Sequence, residues 1–134
     1  MSITFDKYLE TGNAEIDGQH KELISRVNKL TENCMPGKEK NVAVQTLDFL
    51  MDYTELHFTD EEKLQEAHNY PLLQAHKEQH EKFVKAVGEL REMLEEEEGP
   101  TEAFVEAVKK NVVDWLLKHI QIWDKQVAAY IQEY

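Results

Sequence analysis

The chain has 134 residues, of which 31 % are charged and 41 % are hydrophobic, and its formal net charge is −12. This composition suits a small globular protein of amphipathic helices rather than a disordered chain, and the length predicts a single domain spanning residues 1–134. The acidic balance argues against binding nucleic acid or anionic lipid, because both need basic patches.

Turn-forming residues divide the sequence into four long helical stretches, with breaks at Pro36-Gly37, Asn69-Tyr70-Pro71 and Gly99-Pro100. We predict helices at residues 17–35, 40–67, 71–97 and 101–131, preceded by an irregular arm at residues 1–15. Each helix carries an inward stripe with steps of three and four residues. In the fourth helix, the stripe is Phe104, Val108, Val112, Trp115, His119 and Ile122. The sequence therefore predicts an all-α fold, an antiparallel up-down-up-down four-helix bundle.

Titratable side chains interrupt these apolar stripes in all four helices. They are His20, then His57 and Glu61, then His76 and His80, and finally His119 and Asp124. One such histidine is usually an ordinary core residue, but seven titratable groups buried without partners would destabilise the fold by several kcal/mol, in order of magnitude. Histidine and carboxylate are ligands of iron and zinc, and seven exceed the needs of one four-coordinate zinc. The pattern predicts a centre of two metal ions.

The predicted turns bring these residues to one level of the bundle. Residue 59 lies midway between His57 and Glu61, and residue 78 lies midway between His76 and His80. In a hairpin folded near residues 68 and 69, residue 59 lies opposite residue 78. Folding the next turn places residue 78 opposite residue 121, between the two residues of the fourth helix. Folding at Gly37 places His20 opposite residue 54, about 4.5 Å along the axis from His57. The sixth histidine, His68, lies about 10 Å beyond Glu61 and is interpreted as a helix-end residue.

Two familiar kinds of metal site do not match. Zinc peptidases use His-Glu-x-x-His, but Lys77 follows His76 here, and the Glu-x-x-His of ferritin-like di-iron sites is absent from the sequence. A set of five imidazoles and two carboxylates carries less negative charge than a carboxylate-rich site. It favours binding of dioxygen over oxidation of a substrate.

The order His, His-x3-Glu, His-x3-His, His-x4-Asp resembles the hemerythrin family, in particular its stand-alone bacterial members, the bacteriohemerythrins. The resemblance extends over nearly the whole chain and includes Ile16-Asp17, Gln19-His20-Lys21, Tyr70-Pro71, Trp115-Leu116 and His119-Ile120. Myohemerythrin, a member of that family, is a four-helix bundle.

The resemblance implies two iron ions, joined by an oxo or hydroxo group, and dioxygen as the ligand. One iron is implied to bind His76, His80 and His119. The other binds His20 and His57 and keeps an open position for dioxygen, and the two irons are bridged by Glu61 and Asp124. A water-excluding pocket would be lined by Leu23, Phe58, Leu116 and Ile120, although each is equally suitable as plain core.

Three functional classes follow from such a centre. The first is an oxygen-binding protein that carries, stores or scavenges dioxygen reversibly. An oxygen or redox sensor is less favoured, because the helices fill the chain and leave no output domain. An enzyme such as a peroxidase or nitric oxide reductase is less favoured, because the inward stripe offers no spare acid or base near the site.

The remaining features concern location. The apolar runs are a few residues long, so we expect no membrane span, and residues 1–6 lack the basic start and apolar stretch of a signal peptide. The one cysteine, Cys34, cannot form an internal disulfide and is expected to pack as a small apolar residue near the end of the first helix. These features predict a cytoplasmic protein, and we expect a monomer.

Overall fold

The computed structural model describes residues 3–133, and over that range the chain forms four helices and no strand. They are α1 (Ala14–Asn33), α2 (Lys40–Ala67), α3 (Leu73–Glu96) and α4 (residues 102–133). Consecutive helices pack against each other, and α4 also contacts α1, which closes the bundle. The predicted antiparallel four-helix bundle is confirmed. None of the described helices is long and apolar enough to cross a membrane.

The predicted range of α2 is confirmed, but α1 begins three residues earlier than predicted. The side chain of Asn13 accepts a hydrogen bond from the backbone N–H of Ile16, and this N-cap starts the helix at Ala14. Asp17, predicted to be the first helical residue, lies in the first turn of α1. Its side chain accepts hydrogen bonds from the backbone N–H and the hydroxyl of Thr11, at 2.9 and 2.7 Å. These contacts fix the end of the arm to the first turn of α1.

Residues with positive φ form the turns that set the helix register. Gly37 has φ 93° between α1 and α2, where an L side chain would be strained. Asn69 has φ 54° between α2 and α3, a conformation that asparagine tolerates better than most residues. The backbone N–H of Tyr70 then donates to the carbonyl of Gln65 at 2.9 Å, which closes the end of α2. The turn near residues 68 and 69 therefore lies where the sequence predicts it.

The fourth helix contains two π-helical segments that shift its inward face. Its successive segments are Glu102–Val108, Lys109–Asp114, Trp115–His119, Ile120–Asp124 and Lys125–Glu133, of which the second and fourth are π-helical. The first part of the stripe is buried as predicted, but Ile122 is 54 % exposed, and Ile120 is fully buried instead. The prediction for Ile122 is wrong, because a π turn holds more residues than an α turn and changes which residues face inward.

The apolar core has two parts, one on each side of the predicted metal layer. The larger part fills the bundle from the layer towards the α1–α2 and α3–α4 turns, and it includes Leu23, Leu50, Phe83 and Leu116. The smaller part lies beside the α2–α3 turn and consists of Ile16, Tyr70, Val127 and Ala128. Apolar packing on both sides therefore excludes solvent from the layer between them.

The single cysteine packs where the sequence predicts it. Cys34 directly follows α1 and is buried in the larger core. Burial raises the pKa of its thiol to about 12. The thiol is therefore neutral near pH 7, and its interpretation as a small apolar residue is confirmed.

Candidate metal centre

The structure brings all seven predicted ligand residues into one buried layer. None of the seven is more than 3 % exposed. Two overlapping groups each place their ligand atoms within 4.8 Å of one another: one is Glu61, His76, His80, His119 and Asp124, and the other is His20, His57, Glu61 and Asp124. The two carboxylates are common to both groups. His68 belongs to neither group and lies at the end of α2, as predicted.

Ordinary α-helical spacing positions the predicted ligands on α2 and α3. His57 and Glu61 are four residues apart, as are His76 and His80, so each pair shares a helix face. The Nε2 atom of His57 lies 3.5 Å from Oε2 of Glu61 within the same helix. Across the two helices, Nε2 of His76 lies 2.8 Å from Oε1 of Glu61. Glu61 therefore faces histidines of both groups.

The pair on α4 depends on a π-helical segment. His119 and Asp124 are five residues apart, and five residues of an α-helix turn the chain by about 500°, which leaves the two side chains about 140° apart. The π-helical segment Ile120–Asp124 directly follows His119 and removes this mismatch. Nε2 of His119 then lies 3.1 Å from Oδ1 of Asp124. Segments of this kind often occur at functional sites.

Several inward-facing atoms of the layer have no hydrogen-bond partner. Nε2 of His20 lies 2.7 Å from Oδ2 of Asp124. Other buried polar atoms lie close to groups of the same layer but make no well-aligned hydrogen bond: both carboxylate oxygens of Glu61, Oδ1 of Asp124, and Nε2 of His57 and His80. Buried polar atoms without a well-aligned hydrogen bond are unfavourable, and these belong to residues whose candidate ligand atoms lie within 4.8 Å of one another in each group. The donor set and these polar atoms fit a pair of divalent cations shared through two carboxylates.

The protonation of the metal-free layer shows the same need for positive charge. Burial opposes ionisation of Asp124, but the facing histidines, led by His119, hold the pKa of its carboxyl well below the usual range. Burial also disfavours charge on His76, yet the carboxylates of Asp124 and Glu61, which lie 3.1 and 2.8 Å from its Nε2 atom, raise the pKa of His76 to about 9. Burial dominates at His57 and lowers its pKa to about 4. Protonated His76 thus supplies a positive charge that a metal ion would otherwise provide.

Three histidines also have partners at their outer ring nitrogen, and the sequence analysis missed all three. The Nδ1 atoms of His57, His76 and His80 lie 2.6, 3.0 and 2.8 Å from side-chain atoms of Gln19, Gln65 and Glu62, respectively. The amide nitrogen of Gln65 is the atom placed beside Nδ1 of His76. Exchanging the amide nitrogen and oxygen of Gln65 by a half-turn of the amide lets the oxygen accept the ring N–H of His76. Such partners fix the ring so that Nε2 points inward. The sequence offers only a weak signal for these partners. Gln19 and Glu62 each lie next to a predicted ligand, and Gln65 lies four residues after Glu61.

Aromatic rings hold two of the histidines in place. The ring of His80 stacks on Phe58, with centroids 3.7 Å apart and planes 4° apart. The ring of His119 stacks on Trp115 at 4.4 Å and 11°. Phe58 also lies 5.9 Å from the ring of His57, so it contacts histidines of both groups. Flat stacking limits rotation of these imidazoles and keeps their nitrogens directed at the layer.

The four residues predicted to line a dioxygen pocket are buried beside the layer. They are at most 5 % exposed and all belong to the larger apolar core: Leu23, Phe58, Leu116 and Ile120. Their side chains present only carbon to the centre. Their assignment to a pocket stays a prediction.

Comparisons with known proteins agree with this geometry. The family model described as "Hemerythrin HHE cation binding domain" matches residues 11–131. A bacteriohemerythrin of Pseudomonas aeruginosa (strain UCBPP-PA14) is 34 % identical over 123 residues, which are 92 % of this chain and 75 % of the relative. A bacteriohemerythrin of Aquifex aeolicus (strain VF5) is 32 % identical over 131 residues, which are 98 % of each chain. The crystal structure of a wild-type hemerythrin matches with a TM-score of 0.84 at 28 % identity, and covers 96 % of this chain and 97 % of that one.

The fold and the cluster together define a four-helix-bundle protein with a histidine- and carboxylate-lined metal site. The chain belongs to the hemerythrin family, whose members are non-haem di-iron domains. The resemblance inferred from the ligand order is thereby confirmed.

Proposed function

We propose that the chain is a non-haem di-iron protein that binds dioxygen reversibly at one of its two irons. The observation that carries the proposal is the pair of overlapping groups of candidate ligands, which share Glu61 and Asp124 and contain three and two histidines, respectively. Two carboxylates common to two groups suit a bridged pair of metals better than a single ion. The names of the bacteriohemerythrin relatives support the assignment of oxygen binding.

The unequal number of histidines gives the two irons different roles. His76, His80 and His119 would hold one iron, and His20 and His57 would hold the other. Because Glu61 and Asp124 would be shared by both irons, the two-histidine iron would have one protein donor fewer. That difference leaves a position for dioxygen. In this proposal, the bound iron pair supplies the electrons that dioxygen accepts.

The apolar residues around the layer protect the centre from water. Leu23, Phe58, Leu116 and Ile120 offer no hydrogen bond, so a water molecule beside them would lose partners it has in bulk solvent. Exclusion of water by these side chains would hinder the loss of oxygen as superoxide or peroxide, a loss that would leave the irons oxidised. Apolar cover, together with a nitrogen-rich ligand set, favours reversible binding over oxidation of a substrate.

An optical titration tests this proposal. Protein reconstituted with ferrous iron under nitrogen is exposed to oxygen and then returned to vacuum. We expect a visible absorption band that appears with oxygen, disappears on deoxygenation and returns on a second exposure. A band that never reverses, or sustained consumption of oxygen or peroxide when a reductant is supplied, would instead support an enzyme.

A further inference from the structure

The outer nitrogens of the five histidines in the layer are not equivalent. Nδ1 of His80 lies 2.8 Å from the carboxylate oxygen Oε2 of Glu62. His57 and His76 contact neutral amides at the same ring position, and Nδ1 of His20 and of His119 has no hydrogen-bond partner among the described residues. Within the described part of the chain, His80 is therefore the histidine of the layer whose outer nitrogen contacts a carboxylate.

The surroundings of His80 leave its ring one orientation. Phe58 covers one ring face at 3.7 Å, and Glu62 takes the outer N–H. The inner Nε2 atom is buried and lies 3.3 Å from Oε1 of Glu61 without a well-aligned hydrogen bond. Glu62 belongs to neither group of candidate ligands and contacts the layer through the outer nitrogen of this imidazole.

Glu62 also connects this imidazole to solvent. Its side chain is 26 % exposed and lies in a groove of about 670 Å³ between α2 and α3, which is also lined by Lys77, His80 and Glu81. The groove thus places a partly exposed carboxylate 2.8 Å from the outer nitrogen of a predicted iron ligand.

A carboxylate that accepts the outer N–H increases the electron density of the imidazole and makes Nε2 a stronger donor. Stronger donation stabilises the more positive metal ion, so it favours ferric over ferrous iron. A neutral amide at the outer nitrogen strengthens the donation by Nε2 less than a carboxylate does, and a histidine without an outer partner gains no such strengthening. The two irons would consequently differ in their preferred oxidation state for a reason other than histidine count.

We propose that Glu62 is a positioning residue that, through His80, lowers the reduction potential of the three-histidine iron and strengthens its retention. The inference rests on the iron pair of the proposed function. Glu62→Gln is the direct test, because glutamine keeps an oxygen that can accept the N–H and removes only the charge. Glu62→Ala removes both the charge and the hydrogen bond.

Glu81→Gln is the matched control. Glu81 lines the same groove, is exposed, and its replacement changes the net charge by the same amount. The measurements are the midpoint potential of the iron-loaded protein and the affinity for ferrous iron in competition with a chelator. Circular dichroism of the metal-free variants checks that each still folds.

We expect Glu62→Gln to shift the equilibrium between ferric and ferrous protein towards ferrous by about tenfold, which is about 59 mV for one electron. Glu62→Ala should in addition weaken iron binding by about 10–100-fold. Glu81→Gln should match the unmodified protein in both measurements.

Two results would overturn the inference alone: an unchanged potential in a folded, fully loaded Glu62→Gln variant, or an equal shift in Glu81→Gln. Absence of iron from the unmodified protein would overturn the proposed function and this inference together. The two failures are therefore distinguishable.

Discussion

Removal of apolar cover beside the centre should shorten the life of the oxygenated protein. Leu116 is 4 % exposed, belongs to the larger core and lies three residues before His119. Leu116→Ala removes three carbon atoms from a packed site, which should destabilise folding by about 2–5 kcal/mol. The space left behind can admit water beside the layer, and we expect faster conversion of the oxygenated form to the ferric form.

The assay separates this effect from general destabilisation. The decay of the oxygenated absorption band is followed at constant temperature, and iron is counted before and after the decay. Leu90→Ala is the control, because Leu90 is equally buried but lies ten residues beyond His80, about 15 Å along α3. The two variants should lose similar stability, and only Leu116→Ala should decay faster. Equal decay rates for Leu116→Ala and the unmodified protein, both fully loaded, would make Leu116 ordinary core.

Three further predictions concern the ligand layer. Because the pKa of His76 is raised from 6.5 to about 9 on folding, the metal-free protein should lose roughly 3 kcal/mol of stability between pH 6.5 and 9. Its melting temperature should also stay below that of the iron-loaded protein. Urea unfolding and thermal melts measure these effects, and identical curves at both pH values or with and without metal would contradict them. His80→Ala should lose or loosen the iron of the three-histidine group, and metal analysis that returns the full iron content at normal affinity would refute this. Deletion of the exposed Gln121 would place His119 and Asp124 at ordinary α-helical spacing, so iron binding should survive this deletion. Deletion of Glu55 within α2 should instead abolish iron binding. Equal loss of iron in the two variants would disprove the role of the π-helical segment.

The level of the metal layer could be predicted from the sequence, because antiparallel helices joined by short turns have a register fixed by the turn positions. The predicted turns at Gly37 and near Asn69 lie where the structure has positive φ. Equal distances from a shared turn then place His57 opposite the histidines of α3. The composition of the layer follows from that register without knowledge of any contact.

The missed features depend on local geometry that spacing alone does not reveal. The start of α1 depends on the Asn13 cap, which the period of the apolar residues does not reveal. The five-residue step from His119 to Asp124 was interpreted as ordinary helical spacing, although an α-helix would separate the two side chains. The same π segment explains the exposure of Ile122.

The partners of the outer histidine nitrogens were missed for a different reason. Gln19 and Glu62 lie beside predicted ligands in the sequence, and neighbouring residues on a helix usually point in different directions. Their side chains reach histidines of other helices, at 2.6 Å to His57 and 2.8 Å to His80. Such contacts depend on side-chain length and rotamer, which a periodic pattern does not specify.

The number of irons per folded chain tests the two-metal assignment most directly. Metal-free protein is loaded anaerobically with ferrous iron, freed of excess metal, and analysed for iron and protein. Overlapping ligand groups that share Glu61 and Asp124 predict two irons per chain. A folded protein that retains one iron or none after the same treatment would contradict the shared, two-metal centre.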